Sequence, residues 1–143
     1  HTSAGPRVTY LHNHRSDLTL VNGTKFDFVY SLITLQHIAP EYAQRYIGEF
    51  VRVLTPGGAV LFQIPAASRV PPRRAPSGPA KLLWHVLNRS LAMEPVMQMH
   101  TLPRETVLET LREAGAEVLE VFRYDAAGTE FESYGYLARK PPD

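Results

Sequence analysis

The chain has 143 residues, the length of one domain that buries a core of its own. Its 15 Lys and Arg against 14 Asp and Glu leave a formal charge of +1, which excludes a domain that binds polyanions through overall charge, so no nucleic acid partner is expected. With 44% apolar and 20% charged residues the composition is globular, and the lack of cysteine removes disulfide scaffolds, Cys-based zinc sites and thiol catalysis together.

Val8 to Leu11, after the Gly5-Pro6 breaker, predict a short strand over residues 8–12. A polar stretch from Asn13 to Lys25 follows, with a turn at Asn22-Gly23. Phe26 to Leu35 is nearly unbroken apolar sequence, which predicts a strand buried on both faces, as in a parallel sheet. From Glu41 to Leu54 the period changes: Ala43, Tyr46, Ile47, Phe50, Val51 and Leu54 recur at three- and four-residue spacing, and Pro40 suits a first helical turn. Pro56-Gly57-Gly58 stops this amphipathic helix, and Ala59 to Ile64 reads as a second buried strand, completing a βαβ unit.

Residues 65–79 carry five prolines with Arg69, Arg73 and Arg74, which suits a loop or lid and no helix interior. Lys81 to Leu91 is expected to be helical, and Pro103 to Ala114 more so, with Gly115 as its stop. Val118 to Tyr124 and Tyr134 to Arg139 predict two strands joined through Ala127-Gly128 as an antiparallel hairpin. The whole is expected to be one partial domain, 1–143, with residues 66–102 as an acceptor-side insertion. No apolar run nears the ~20 residues of a membrane-crossing helix, and nothing at the N-terminus reads as a signal peptide. The expected location is therefore cytoplasmic, with no membrane span.

The sequence holds no GxGxxG, no phosphate-cradling loop with Lys-Ser or Lys-Thr and no HExxH, and Gly57-Gly58 reads as a turn. His12, His14 and His37 would make a metal site only if the fold gathered them, and none is expected.

The specific signal is the order FDFVYSLITLQHI, amphipathic helix, RVLTPGGAVLFQIP, from Phe26 to Pro65. It resembles the fourth strand, following helix and fifth strand of class I S-adenosylmethionine-dependent methyltransferases. The acidic residue beside an aromatic one (Phe26-Asp27), the Leu-x-His element (Leu35-Gln36-His37) and the Arg-Val-Leu-x-Pro-Gly-Gly turn (Arg52 to Gly58) carry the likeness. The tail, with a helix ending in Ala-Gly and a closing strand from Tyr134 to Lys140, is similar too. The resemblance implies a three-layer Rossmann-like α/β sheet, mainly parallel, with an antiparallel C-terminal hairpin strand. The family's sheet runs third, second, first, fourth, fifth, seventh, sixth. Its glycine-rich first motif and the acidic residue that holds the ribose hydroxyls have no counterpart here, so the chain is expected to be the C-terminal part of such an enzyme.

The same resemblance implies S-adenosyl-L-methionine as cofactor and methyl transfer to a small-molecule or glycan acceptor. Asn13 or His14 falls where the family reaches the adenine, although Asn13 serves equally well as a polar turn residue. Ser31 and Leu32, at the end of the fourth strand, would border the methionine part of the cofactor, with sheet core as the other reading. His37 would take a proton from an acceptor hydroxyl, or else hydrogen-bond within its own loop. His100, Arg73 and Trp84 would line the acceptor side: Arg73, with Arg69 and Arg74, for a phosphate or carboxylate, and Trp84 for an apolar acceptor. Solvated-loop and packing roles stand beside each.

The alternative function is a catalytically silent, self-associating module. Without the first and second strands the fourth loses its neighbour, and a bare apolar edge is an association template. The 8–12 strand sliding inward, two chains pairing edge to edge, or exchange of segments would each satisfy it, and a homodimer is the expectation.

Overall fold

The computed structural model describes residues 8–70, 98–125 and 128–143. Helix α1 (Pro40–Val53) starts on the proline that the sequence places there. Glu41 in its first turn and Arg52 in its last suit the helix dipole. Its apolar stripe, Ala43, Ile47, Phe50 and Val51, is buried. Helix α2 (Arg104–Glu113) follows Pro103 and ends at Gly115, whose φ of 81° opens the left-handed turn that lets the Ala116 N–H return to the Leu111 carbonyl.

Four strands, β1 (Phe26–Ser31), β2 (Leu54–Ser68), β3 (Glu117–Arg123) and β4 (Phe131–Arg139), form one sheet in the order β1-β2-β4-β3. β1 runs parallel to β2, and β4 is antiparallel to both of its neighbours. This is the fourth-fifth-seventh-sixth run that the resemblance implies, including the closing hairpin. The two helices pack on each other and on the sheet. Leu35, Val60, Phe62, Ile64, Leu102, Val107, Leu111, Tyr136 and Ala138 complete the core between them.

The Pro-Gly-Gly segment is a stitched turn. Phe26 pairs with Leu54 but Phe28 pairs with Ala59, so residues 55–58 loop out of the β1–β2 ladder. The Gly57 N–H donates to the Lys140 carbonyl and the Lys140 N–H to the Gly58 carbonyl, both at 2.9 Å. A Cβ on Gly58 would meet Thr55 Oγ1 at 2.9 Å and the Asp27 carbonyl at 3.1 Å, which is why a side chain is excluded there. The Thr55 hydroxyl donates to the Asp27 carboxylate at 3.0 Å, giving the acidic residue at the head of β1 a structural partner.

Three expectations are corrected. Residues 8–12 form no strand; Val8, Tyr10 and Leu11 are exposed, because an extended segment becomes a strand only when a neighbour offers it a ladder. The inward-sliding solution to the open edge is therefore not the one adopted. The strand read as Phe26 to Leu35 ends at Ser31, and Leu35–His37 forms a 3₁₀ turn. Nor is that strand buried on both faces: Phe28 and Tyr30 are 54% and 60% exposed, since among the described residues no helix covers the face they share. The described residues thus supply two of the three layers.

β2 runs on to Ser68, so residues 66–68 of the expected insertion lie within a strand. Residues 71–97, with the expected helix from Lys81 to Leu91, lie outside the described residues.

Candidate functional site

The C-terminal end of β1 is where open α/β sheets place their ligands, and here it is held by a buried hydrogen-bond network. After Ser31 the chain turns at Ile33, whose φ of 58° is unusual for a β-branched residue and carries backbone strain of about 1–3 kcal/mol. The Ile33 N–H donates to Gln63 Oε1 at 3.1 Å. Gln63 sits on β2, fully buried. Its Nε2 donates to Ser133 Oγ on β4 at 2.5 Å and to Gln36 Oε1 at 3.3 Å. Gln36, also buried, places its own Nε2 3.3 Å from His37 Nε2. The His100 N–H donates to the Gln36 carbonyl at 2.7 Å and the Leu102 N–H to the Pro65 carbonyl at 2.8 Å, tying in the approach to α2.

Ser31, Leu32, His37 and His100 therefore share one end of the sheet. Ser31, Leu32 and His100 are partly exposed there, and His37 is exposed. Asn13 and His14 lie apart, in two shallow hollows. One, of about 430 Å³, is lined by His12, Asn13, His14, Arg15, Thr19 and Asn22. The other, of about 340 Å³, adds Ile38, Tyr42 and Tyr46.

Asn13 makes the turn that its residue type suggests: Oδ1 accepts from the Arg15 N–H, and Nδ2 donates to the Asp17 carbonyl and to Tyr46 Oη. The His12 and His14 rings lie against each other with centroids 4.1 Å apart, tilted by 55°. Among the described residues no group of three His, Asp or Glu is gathered as a metal site. Arg73 and Trp84 lie outside the described residues.

The segment that carries Asn13 is anchored to α1. The Leu18 N–H donates to Glu49 Oε2 at 2.8 Å, and Arg52 forks onto both Glu49 oxygens at 2.6 and 2.8 Å. Arg52, and then the Leu18 N–H, hold the Glu49 carboxyl below its ordinary range. The hydroxyl and N–H of Thr19 do the same for Asp17. On the core side, burial pushes the Tyr136 phenol up.

Gln36, Gln63 and Ser133 escape the sequence reading as site residues. The signal was present in AVLFQIP: one amide inside a strand otherwise apolar must find buried partners.

Residues 1–62 match the family model of a methyltransferase domain. No curated protein matches the chain. Among solved structures, an O-methyltransferase family protein from Burkholderia thailandensis superposes with a TM-score of 0.64 at 19% identity, over 96% of this chain and 37% of that one. Magnesium protoporphyrin IX methyltransferase from Synechocystis, with bound S-adenosylhomocysteine, gives 0.54 at 15% identity, over 82% and 46%. The N-methyltransferase NodS from Bradyrhizobium japonicum, in complex with S-adenosyl-L-homocysteine, gives 0.52 at 18% identity, over 87% and 50%. The chain thus spans half or less of each of these relatives. The fold is theirs, and no helix among the described residues is long and apolar enough to cross a membrane.

Proposed function

We infer, from a chain that carries the class I S-adenosylmethionine-dependent methyltransferase fold, that it is the acceptor-side portion of such an enzyme, acting in the cytoplasm on a small-molecule or glycan acceptor. The observation that carries this reading is the match of residues 1–62 to a methyltransferase domain, which includes the stitched turn and the end of β1. When bound, S-adenosylmethionine supplies an electrophilic methyl group on a sulfonium. The residues present fit one side of that group. Ser31 and Leu32 stand half-open at the end of β1, above a loop turned sharply by Ile33, and would border the methionine part. Asn13 and His14 would approach the adenine from the hollow beside α1.

The work of these residues is alignment, which is what methyl transfer chiefly needs. His37 and His100 face the acceptor side, joined through Gln36.

The test is a methyl-transfer assay with labelled S-adenosylmethionine over hydroxyl, amine and glycan acceptors. It is run on this chain and on the protein extended by the coding sequence upstream of His1. Transfer by the extended protein is expected. The 143-residue chain alone should bind the cofactor more weakly than about 100 μM, since few contacts must offset the entropy of binding. An extended protein that binds no cofactor overturns the reading, and micromolar binding by the chain alone overturns the division of the cradle.

One observation favours the second reading, a silent self-associating module. The outer edge of β1 has no partner strand among the described residues, and Phe28 and Tyr30 stand exposed beside it. A homodimer through this edge would show as twice the chain mass in sedimentation at micromolar concentration. A monomer removes it.

A further inference from the structure

We propose that Gln63 is a positioning residue that fixes the proton on His37. Through Gln36 it holds His37 as the Nδ1–H tautomer, so that the ring offers the acceptor a hydrogen-bond donor and not a base. The polarity of the network follows from the one group whose role is fixed. A backbone N–H only donates, so the atom of Gln63 that faces Ile33 N at 3.1 Å is its carbonyl oxygen. Its Nε2 is then the atom facing Ser133 Oγ and Gln36, and it donates to both. Gln36 must therefore turn its oxygen toward Gln63, which leaves its NH₂ group facing His37 Nε2 at 3.3 Å. A ring nitrogen that receives a donor carries no proton of its own in the neutral imidazole, so the proton sits on Nδ1.

Two features keep the relay from reversing. Gln63 and Ser133 are fully buried, and Gln36 is 3% exposed, so a flipped amide would set two donors against each other out of reach of water. The Ile33 N–H points at Gln63 because of the left-handed turn, so the strained residue serves as the anchor of the polarity. For His37 to act as a base, its Nε2 would have to exchange the Gln36 contact for a proton. As a donor through Nδ1–H it needs no rearrangement, and it suits an acceptor that presents an oxygen or nitrogen lone pair beside the reacting atom.

Only the identification of what His37 faces rests on the methyltransferase reading; the tautomer does not. Long-range ¹H–¹⁵N correlation of the ¹⁵N-histidine-labelled chain at about pH 8, where ordinary imidazoles are neutral, reads it directly. The expected wild-type pattern has a protonated Nδ1 and an unprotonated Nε2 at His37. In Gln63→Glu the carboxylate cannot donate, Gln36 turns its oxygen to the ring, and the pattern inverts to Nε2–H. Gln36→Glu, at the rim of the network, should invert it as well and serves if the first variant fails to fold. A wild-type Nε2–H pattern, or no inversion in a folded Gln36→Glu protein, overturns the proposal. A correct tautomer in a protein that transfers no methyl group sinks the functional reading and leaves this one standing.

Discussion

β1 and β2 are adjacent strands of nearly equal apolar character, yet they live in different surroundings. On β2, Val60, Phe62 and Ile64 are at most 1% exposed, and Gln63, which points to the opposite face, is buried too. On β1, Val29 packs toward the core while Phe28 and Tyr30 stand more than half exposed. β2 has a strand on each side, helices against one face, and a polar network on the other. Among the described residues β1 has one strand neighbour. Apolar sequence states what a segment can bury; its neighbours decide what it does bury.

The widest gap between the two strands is expected in their response to truncation. Phe62→Ala should destabilise the chain by about 3–5 kcal/mol in urea unfolding, since Phe62 packs on Phe50 and Tyr136 and leaves a cavity. Phe28→Ala should change it by less than about 1 kcal/mol in the monomer. Equal losses would break the contrast and reveal cover over β1.

The glycines sharpen it next. Gly58→Ala should cost about 1–3 kcal/mol, because the atoms a Cβ would meet include the Thr55 and Asp27 carbonyls, and backbone cannot retreat. The nearest atoms a Cβ on Gly135 would meet belong to the rim of the Phe122 ring, a partly exposed side chain that yields more readily than backbone. The loss in Gly135→Ala should be the smaller in the same unfolding series.

A smaller effect separates the anchored margin from the open one. The Glu49 carboxyl is held below its ordinary value of 4.5 by Arg52 and the Leu18 N–H. A depressed carboxyl contributes stability that is complete above its unfolded pKa and is lost as pH falls through the folded one. Unfolding free energy should therefore drop as pH falls below about 4.5, and Glu49→Gln should flatten that limb. An unchanged acid limb removes Glu49 from the account. The smallest effect is expected at the Arg139–Glu117 pair, 2.6 Å long but 43% and 53% exposed. Glu117→Gln should shift stability by less than about 1 kcal/mol and less still at high salt.

Much of the frame was legible from the residues alone. The three- and four-residue spacing marked α1 within a residue of its ends, Gly115 marked the end of α2, and Pro56-Gly57-Gly58 marked the turn before the buried part of β2. The hairpin of β3 and β4 followed from two short apolar runs and a glycine between them. Less of the candidate site was legible. His37 was visible as a polar residue in a conspicuous motif, but its partners were not. Gln36 is its sequence neighbour, Gln63 lies 27 residues beyond that, and Ser133 another 70. Separations of that size are crossed only by the sheet.

The sequence by itself determined the order of elements, the helix faces, the turns and the likeness to a methyltransferase, because each depends on residues within a few positions of one another. Tertiary structure alone decided that residues 8–12 form no strand, that one face of β1 goes uncovered among the described residues, and that Ile33, Gln63, Ser133, Gln36 and His37 meet in one network. Whether a segment pairs, is covered, or donates depends on which distant groups stand beside it, and that is settled only when β1, β2 and β4 come together.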